Sequence, residues 1–279
     1  DTYNRLQQAG VDFSAAGGVA ALPVLNGMMG NRIKVLIDGS DISAACANDM
    51  NPPLSYVSGN QISQVTVVAG ISPVSMGGDN IGGVISISTI NPQFKSLNDH
   101  TLKTQTGFSH LRSYLGSNYQ SNGDIIKSSF GTEFASSNVS LKYDGAFEDA
   151  NSYRDGNNDK VPDTLYRAQN HQLVAAWQDN SQQLAIKLSH QYIPFQGFAN
   201  QYMDMTENNS VGVTVQYLRQ LAAGELLARV NWQSIEHEMG FFTPEKPGTM
   251  PMLTDSNDYS YQLHWTTALS GDATLKLGH

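Results

Sequence analysis

From about residue 101 onward the chain is a succession of segments in which apolar and polar residues alternate. No other feature constrains the fold as much. Such segments run over 101–111, 123–134, 137–148, 164–178, 182–192, 210–220, 223–237, 257–269 and 272–278. A period of two places neighbouring side chains on opposite faces of a strand. Long polar loops separate some of them, EDANSYRDGNNDKVPD (148–163) and FFTPEKPGTMPMLTDSND (241–258). Others meet in short turns, Gln178-Asp179-Asn180-Ser181 and Ser270-Gly271-Asp272. Long connections alternating with tight ones suit a transmembrane β-barrel. Tyr143, Tyr166, Trp177, Tyr192, Trp232, Tyr261 and Trp265 lie near segment ends, where interfacial aromatic girdles form. On this pattern alone a soluble β-sandwich with aromatics in its core fits equally well.

No run of about 18 apolar residues occurs, so no membrane helix is indicated; barrel strands would leave hydropathy low in any case. The net charge is −9, and both the first hundred residues and the remainder are acidic, which excludes a nucleic-acid footprint. A single cysteine, Cys46, excludes an internal disulfide. No nucleophile elbow, HExxH or paired-carboxylate signature is present, so no enzymatic activity is expected.

The first hundred residues read differently. In NRIKVLIDG, Ile33, Val35 and Ile37 alternate with Arg32, Lys34 and Leu36, giving a strand that ends in an Asp38-Gly39 turn. A second strand is expected over Ile62–Val68 in ISQVTVVAG, and a third in VISIST, with Val84, Ile85 and Ile87. The glycines at 77, 78, 82 and 83 permit tight turns, but their spacing fits neither a P-loop nor a dinucleotide fingerprint.

Between the first two strands lies GSDISAACANDMNPP, residues 39–53. Asp41 and Ser43 can cap a helix and Pro52-Pro53 forbids a long one, so one helical turn is expected. Positions i and i+4 would then place the Cys46 thiol and the Met50 thioether on one face, two soft donors suited to copper. A buried small hydrophobe and a gap-filling methionine account for the same pair.

NRIKVLIDGSDI followed by ISQVTVVAGISPVSMGGDNIGGVISIST resembles the plug domain of the TonB-dependent outer-membrane receptors, over roughly residues 1–95. Three motifs appear in the family's order: a strand ending in Asp-Gly, a strand leading to a Gly/Pro turn, and a "GGVI" strand. Ala69-Gly70-Ile71-Ser72-Pro73 stands where an Arg-Gly-Pro is common, without altering the turn chemistry. The resemblance implies a mainly β protein: a plug domain over 1–98, then an antiparallel transmembrane β-barrel beginning in 99–279. Plugged barrels have about 22 strands, and about nine cannot enclose a plug. The chain is therefore expected to be a fragment, located in the bacterial outer membrane, contacting its lipid, and driven by the periplasmic TonB protein.

Within that family ACANDM is similar to the plug motif of copper receptors of the OprC/NosA kind, which pair Cys-x-x-x-Met in the plug with His-x-Met in the barrel. RVNWQSIEHEMGFF supplies the second half, His237 and Met239, at strand spacing i, i+2. The resemblance thus implies a copper site of Cys46, Met50, His237 and Met239. Cu(I) suits these donors best, and capture as Cu(II) followed by reduction uses the same set. Zinc seldom takes thioethers, and Mg, Ca and Mn prefer oxygen. Met203, Met205, Met250 and Met252, in pairs at i, i+2, are candidates for weaker copper steps or for loop packing. The alternative within transport is a receptor for a siderophore or another metal chelate. Outside transport it is an adhesive or docking β-protein.

Overall fold

The computed structural model describes residues 2–42, 44–46, 49–78, 80–95, 110–242, 246–269 and 273–278. The N-terminal unit opens with a short helix, α1 (Thr2–Gln8), and a hairpin of β1 (Asp12–Ala15) and β2 (Ala21–Val24). Its centre is a four-stranded sheet in the order β4-β3-β6-β5, formed by β3 (Ile33–Ile37), β4 (Ser40–Asp41), β5 (Gln64–Ala69) and β6 (Gly83–Ser88). β3 lies parallel to β6, and the other pairs are antiparallel. Leu36, expected on the polar face of β3, is buried together with Ile33, Val35 and Ile37. A strand paired on both edges and covered on both faces has no polar side, so alternation is lost there.

Asp38 and Gly39 form the two-residue loop between β3 and β4, with φ of 50° and 78°. Two positive φ values in succession give the hairpin turn that Asp-Gly favours. The turn touches the second unit: the Gln262 amide donates to the Gly39 carbonyl, and Ser260 Oγ lies 2.9 Å from Ser40 Oγ. A Cβ on Gly39 would overlap the Arg229 guanidinium and Gln262. Gly39→Ala combines this clash with a left-handed residue costing about 1–2 kcal/mol. It is expected to lower the denaturation midpoint of the full-length protein, and an unchanged midpoint would contradict the close fit.

The second unit is one nine-stranded antiparallel meander, each strand paired with its sequence neighbours. Its strands are β7 (His110–Gln120), β8 (Ile125–Ala135), β9 (Val139–Ala150), β10 (Tyr166–Gln178), β11 (Gln182–Gln196), β12 (Asp204–Leu221), β13 (Gly224–Gly240), β14 (Met252–Ala268) and β15 (Thr274–Gly278). Tight connections alternate with the longer ones at 151–165, 197–203 and 241–251. The sheet wraps around the N-terminal unit. Asn60 bonds Tyr114 of β7 and the Gly145 carbonyl of β9, Asp38 pairs with Lys187 of β11, and Gly39 meets β14. Ile235 of β13 closes the core formed by Leu6, Leu54, Ile85 and Ile87.

Apart from its last two residues, the expected segment 101–111 lies outside the described residues. Two readings differ from the structure. The first described strand of the wall, 110–120, continues well past the expected end at 111. Ser113 and Ser117 interrupt the Leu111–Leu115 face there and bond across to Thr132 and Ser128 at 3.0 and 3.2 Å, which masks the apolar period. Tyr166 is no girdle residue: it is buried, and its ring lies where a Cβ on Gly18 would stand. Trp177, Tyr259 and Tyr261 do project outward. The Ser270-Gly271-Asp272 turn lies outside the described residues.

Candidate metal centre

Beyond β4 the chain crosses the end of the N-terminal unit nearest the long loops. The expected helical turn is absent among the described residues. Asp41, expected as its cap, ends β4 and pairs with Lys34 at 3.3 Å; Ser43 is outside the described residues. Instead the Asp49 amide donates to the Cys46 carbonyl at 3.0 Å, with Asp49 in the left-handed region at φ 52°. This reversal divides the segment between two cores. Ile42 and Ala45 enter the core of the N-terminal unit, whereas Cys46 and Met50 enter a second cluster shared with the wall. Cys46 and Met50 therefore share one buried cluster without the helical spacing expected of them.

The wall's contribution is set by period two and by one irregularity. In β13, Gln233, Ile235, His237 and Met239 form the inward row, and Glu236 between them is exposed. Met239 belongs to the second cluster, together with Cys46, Met50, Met205, Ile193 and Phe198. His237, 3% exposed, stands on the same row between Ile235 and Met239. In β12 the register shifts between Met205 and Glu207, so Met205 pairs with Met239 and Asn208 pairs with His237. Without that bulge, residues three apart would face opposite ways; with it, both Met205 and Asn208 point inward and are fully buried. Met239 also pairs with Met252 of β14, giving a row of three methionines across adjacent strands.

Met203 and Met252 pack half-buried against the cluster, whereas Met250 is exposed at 82%. The i, i+2 pairing of Met205 with Met203 is superseded by its cross-strand pairing with Met239, which only the bulge creates. Cross-strand register leaves no local signal in the sequence, so spacing alone does not point to Met205 and Asn208 as partners of Met239 and His237.

Two charged groups border the cluster: Asp204 accepts from the Phe198 amide at 2.8 Å, and Lys246 donates to the Phe198 carbonyl at 2.7 Å. His237 Nδ1 lies 3.1 Å from Asn208 Oδ1, and its Nε2 is buried with no hydrogen-bond partner among the described residues. An unpaired buried ring nitrogen costs about 1–3 kcal/mol unless something occupies its lone pair. The neighbouring carboxylate, Asp204, is neutralised from the 241–251 loop by Lys246 at 2.5 Å.

Residues 5–84 match the family model described as TonB-dependent Receptor Plug Domain. Residues 5–84 therefore carry the plug domain of TonB-dependent receptors. The N-terminal unit is the plug, and the nine-stranded sheet is outer-membrane barrel wall. Similar solved structures include Copper transporter OprC, with a TM-score of 0.84 and 21% identity over 99% of this chain and 43% of that one. A mutant of the ferric enterobactin receptor PfeA from Pseudomonas aeruginosa aligns with a TM-score of 0.72 and 16% identity, over 100% of this chain and 45% of that one. The FrpB iron transporter from Neisseria meningitidis aligns with a TM-score of 0.73 and 14% identity, over 100% and 45%. The chain thus spans less than half the length of each, and at these identities the likeness is one of fold. No curated protein matches the chain in sequence.

Proposed function

We propose that this receptor imports ionic copper across the outer membrane, holding it between plug donors Cys46 and Met50 and barrel donors His237 and Met239. The observation that carries this reading is the buried cluster that holds Cys46 and Met50 of the plug together with Met205 and Met239 of the wall, next along β13 to a buried histidine whose Nε2 has no hydrogen-bond partner among the described residues. Charge arithmetic favours Cu(I). One thiolate, two thioethers and a neutral imidazole around Cu(I) make a neutral unit, whereas Cu(II) leaves a positive charge among alanine, isoleucine and phenylalanine. Met205, Met203 and Met252 extend the thioether surface toward the long loops.

Half of the donors belong to the plug, so displacing it dismantles the coordination shell. TonB pulling on the plug would supply that displacement and release the ion inward. A ferric chelate is the competing cargo, supported by likeness to PfeA and FrpB. Burial speaks against it: Cys46 and Met239 are 1% exposed, so neither sulfur is presented to a bulky chelate.

Metal analysis of the full-length protein, purified after growth with copper, zinc and iron all supplied, should find about one copper per chain and little of the others, as the sulfur-rich donor set requires. Equal zinc, or tight binding of a ferric siderophore with no copper, would reject the copper reading.

A further inference from the structure

Beside the donor cluster runs a chain of hydrogen bonds in which every partner's role is forced. It starts on the plug. The Ser55 carbonyl can only accept, so the Gln191 amide that meets it must present Nε2. Gln191 Oε1 then faces Asn208 and accepts from Asn208 Nδ2 at 2.9 Å. Asn208 consequently turns Oδ1 toward His237 Nδ1, 3.1 Å away. An oxygen without a proton needs a donor there, so Nδ1 carries the hydrogen and Nε2 keeps its lone pair. Nε2 is the nitrogen with no partner among the described residues.

We propose that Asn208 and Gln191 are positioning residues that fix the tautomer of His237, and that a plug backbone carbonyl, Ser55, sets their orientation while the plug is seated. Both side chains are buried, Asn208 fully and Gln191 at 3% exposed, so neither can satisfy its amide with solvent. Turning either one over would set carbonyl against carbonyl. The plug end is itself braced: Ser55 Oγ donates to Asn51 Oδ1, and Asn51 Nδ2 donates to the Tyr56 hydroxyl at 2.9 Å. When the plug shifts, Gln191 loses the acceptor that orients it, and the preference for a metal-ready Nε2 lapses along with the plug's own donors. The tautomer stands independently of copper; its consequence for metal release rests on the copper reading above.

The first test needs no copper. In metal-free full-length protein labelled with 15N-histidine, the His237 signals, assigned by their absence in His237→Gln, should report a protonated Nδ1 and a bare Nε2. The opposite tautomer, or a mixture, would overturn the proposal. The second test measures Cu(I) affinity by competition with a chromogenic chelator. Asn208→Leu, which removes the acceptor, should weaken binding about 10–100-fold, as expected for an outer-shell partner of a metal-bound histidine. Asn208→Asp, which still accepts from Nδ1, should bind more tightly than Asn208→Leu. A purely structural asparagine predicts the reverse order, because the aspartate buries a charge. Failure of the wild-type protein to bind Cu(I), with the tautomer as stated, would reject the copper reading alone.

Discussion

Cys46→Ala is expected to reduce Cu(I) affinity by more than about 100-fold, beyond the effect of losing an outer-shell partner, because the thiolate is the sole anion among the four donors. Without it the unit around Cu(I) carries a positive charge inside an apolar cluster, and burial of an uncompensated charge opposes binding. The loss is not expected to act through folding. Cys46 packs as a small side chain, and its replacement by alanine removes one sulfur atom from a cluster that keeps Ile193, Phe198 and Met205. The thioethers should each matter less. Met50→Leu and Met239→Leu keep volume and apolar character, a swap that usually costs under about 1.5 kcal/mol of stability. Their effect on affinity therefore reads coordination and not packing. Chelator competition on the three variants checks the order. A Cys46→Ala protein with full copper stoichiometry and affinity within about threefold of wild type, a difference well under 1 kcal/mol, would remove the plug half of the site.

How much of this was legible before the structure depends on the range of the interaction. The Asp38-Gly39 turn, strand β3 and the lengths of the central wall strands follow from local alternation and turn chemistry, and the structure has them nearly where the sequence places them. The outer ends of the wall strands run past the alternation that marks them in the sequence. Residues 252–256 form part of β14 and 204–209 part of β12, yet in neither stretch do apolar and polar residues alternate. Ladder hydrogen bonds suffice to extend a paired strand, so apolar alternation stops before the strand does. Helical spacing points to Cys46 and Met50 for a geometry they do not adopt; with Asp49 in the left-handed region both still enter the same buried cluster. Asn208, Gln191 and the Met205–Met239 pair were out of reach, because a bulge and a cross-strand register place them. Neither leaves a periodic trace.

The largest stability effect is expected one layer further in, where the plug is held to the wall by a buried ion pair. Asp38 Oδ2 accepts from Lys187 Nζ at 2.5 Å and from Thr89 Oγ1 at 2.6 Å, while Oδ1 accepts from the Thr89 and Ile90 amides at 2.7 and 3.2 Å. Burial alone would raise the Asp38 carboxyl, but the Lys187 charge and these hydrogen bonds outweigh it and hold it below the ordinary carboxylate value. The folded protein therefore binds that proton more weakly than the unfolded chain. The pair's stabilisation is fully present above about pH 4. It fades as pH falls through the depressed value.

Lys187→Met leaves a buried carboxylate without its counter-charge and should cost about 3–5 kcal/mol. In that variant the sign reverses: acid protonates the stranded carboxyl, so lowering pH toward the carboxylate range relieves part of the loss. Adding Asp38→Asn removes the stranded charge and should recover much of the loss at neutral pH. Hydrogen exchange of the amides in β3 and β6, followed in the full-length protein, reads these differences where they act. If exchange there is the same in the wild type and in Lys187→Met, the pair does not hold the plug. A double variant no better protected than Lys187→Met would show that the cost lies in lost packing. The pair lies on the turn that joins β3 to β4, and β4 leads directly into the segment bearing Cys46. Loosening it should therefore also weaken copper retention, without touching a single donor atom.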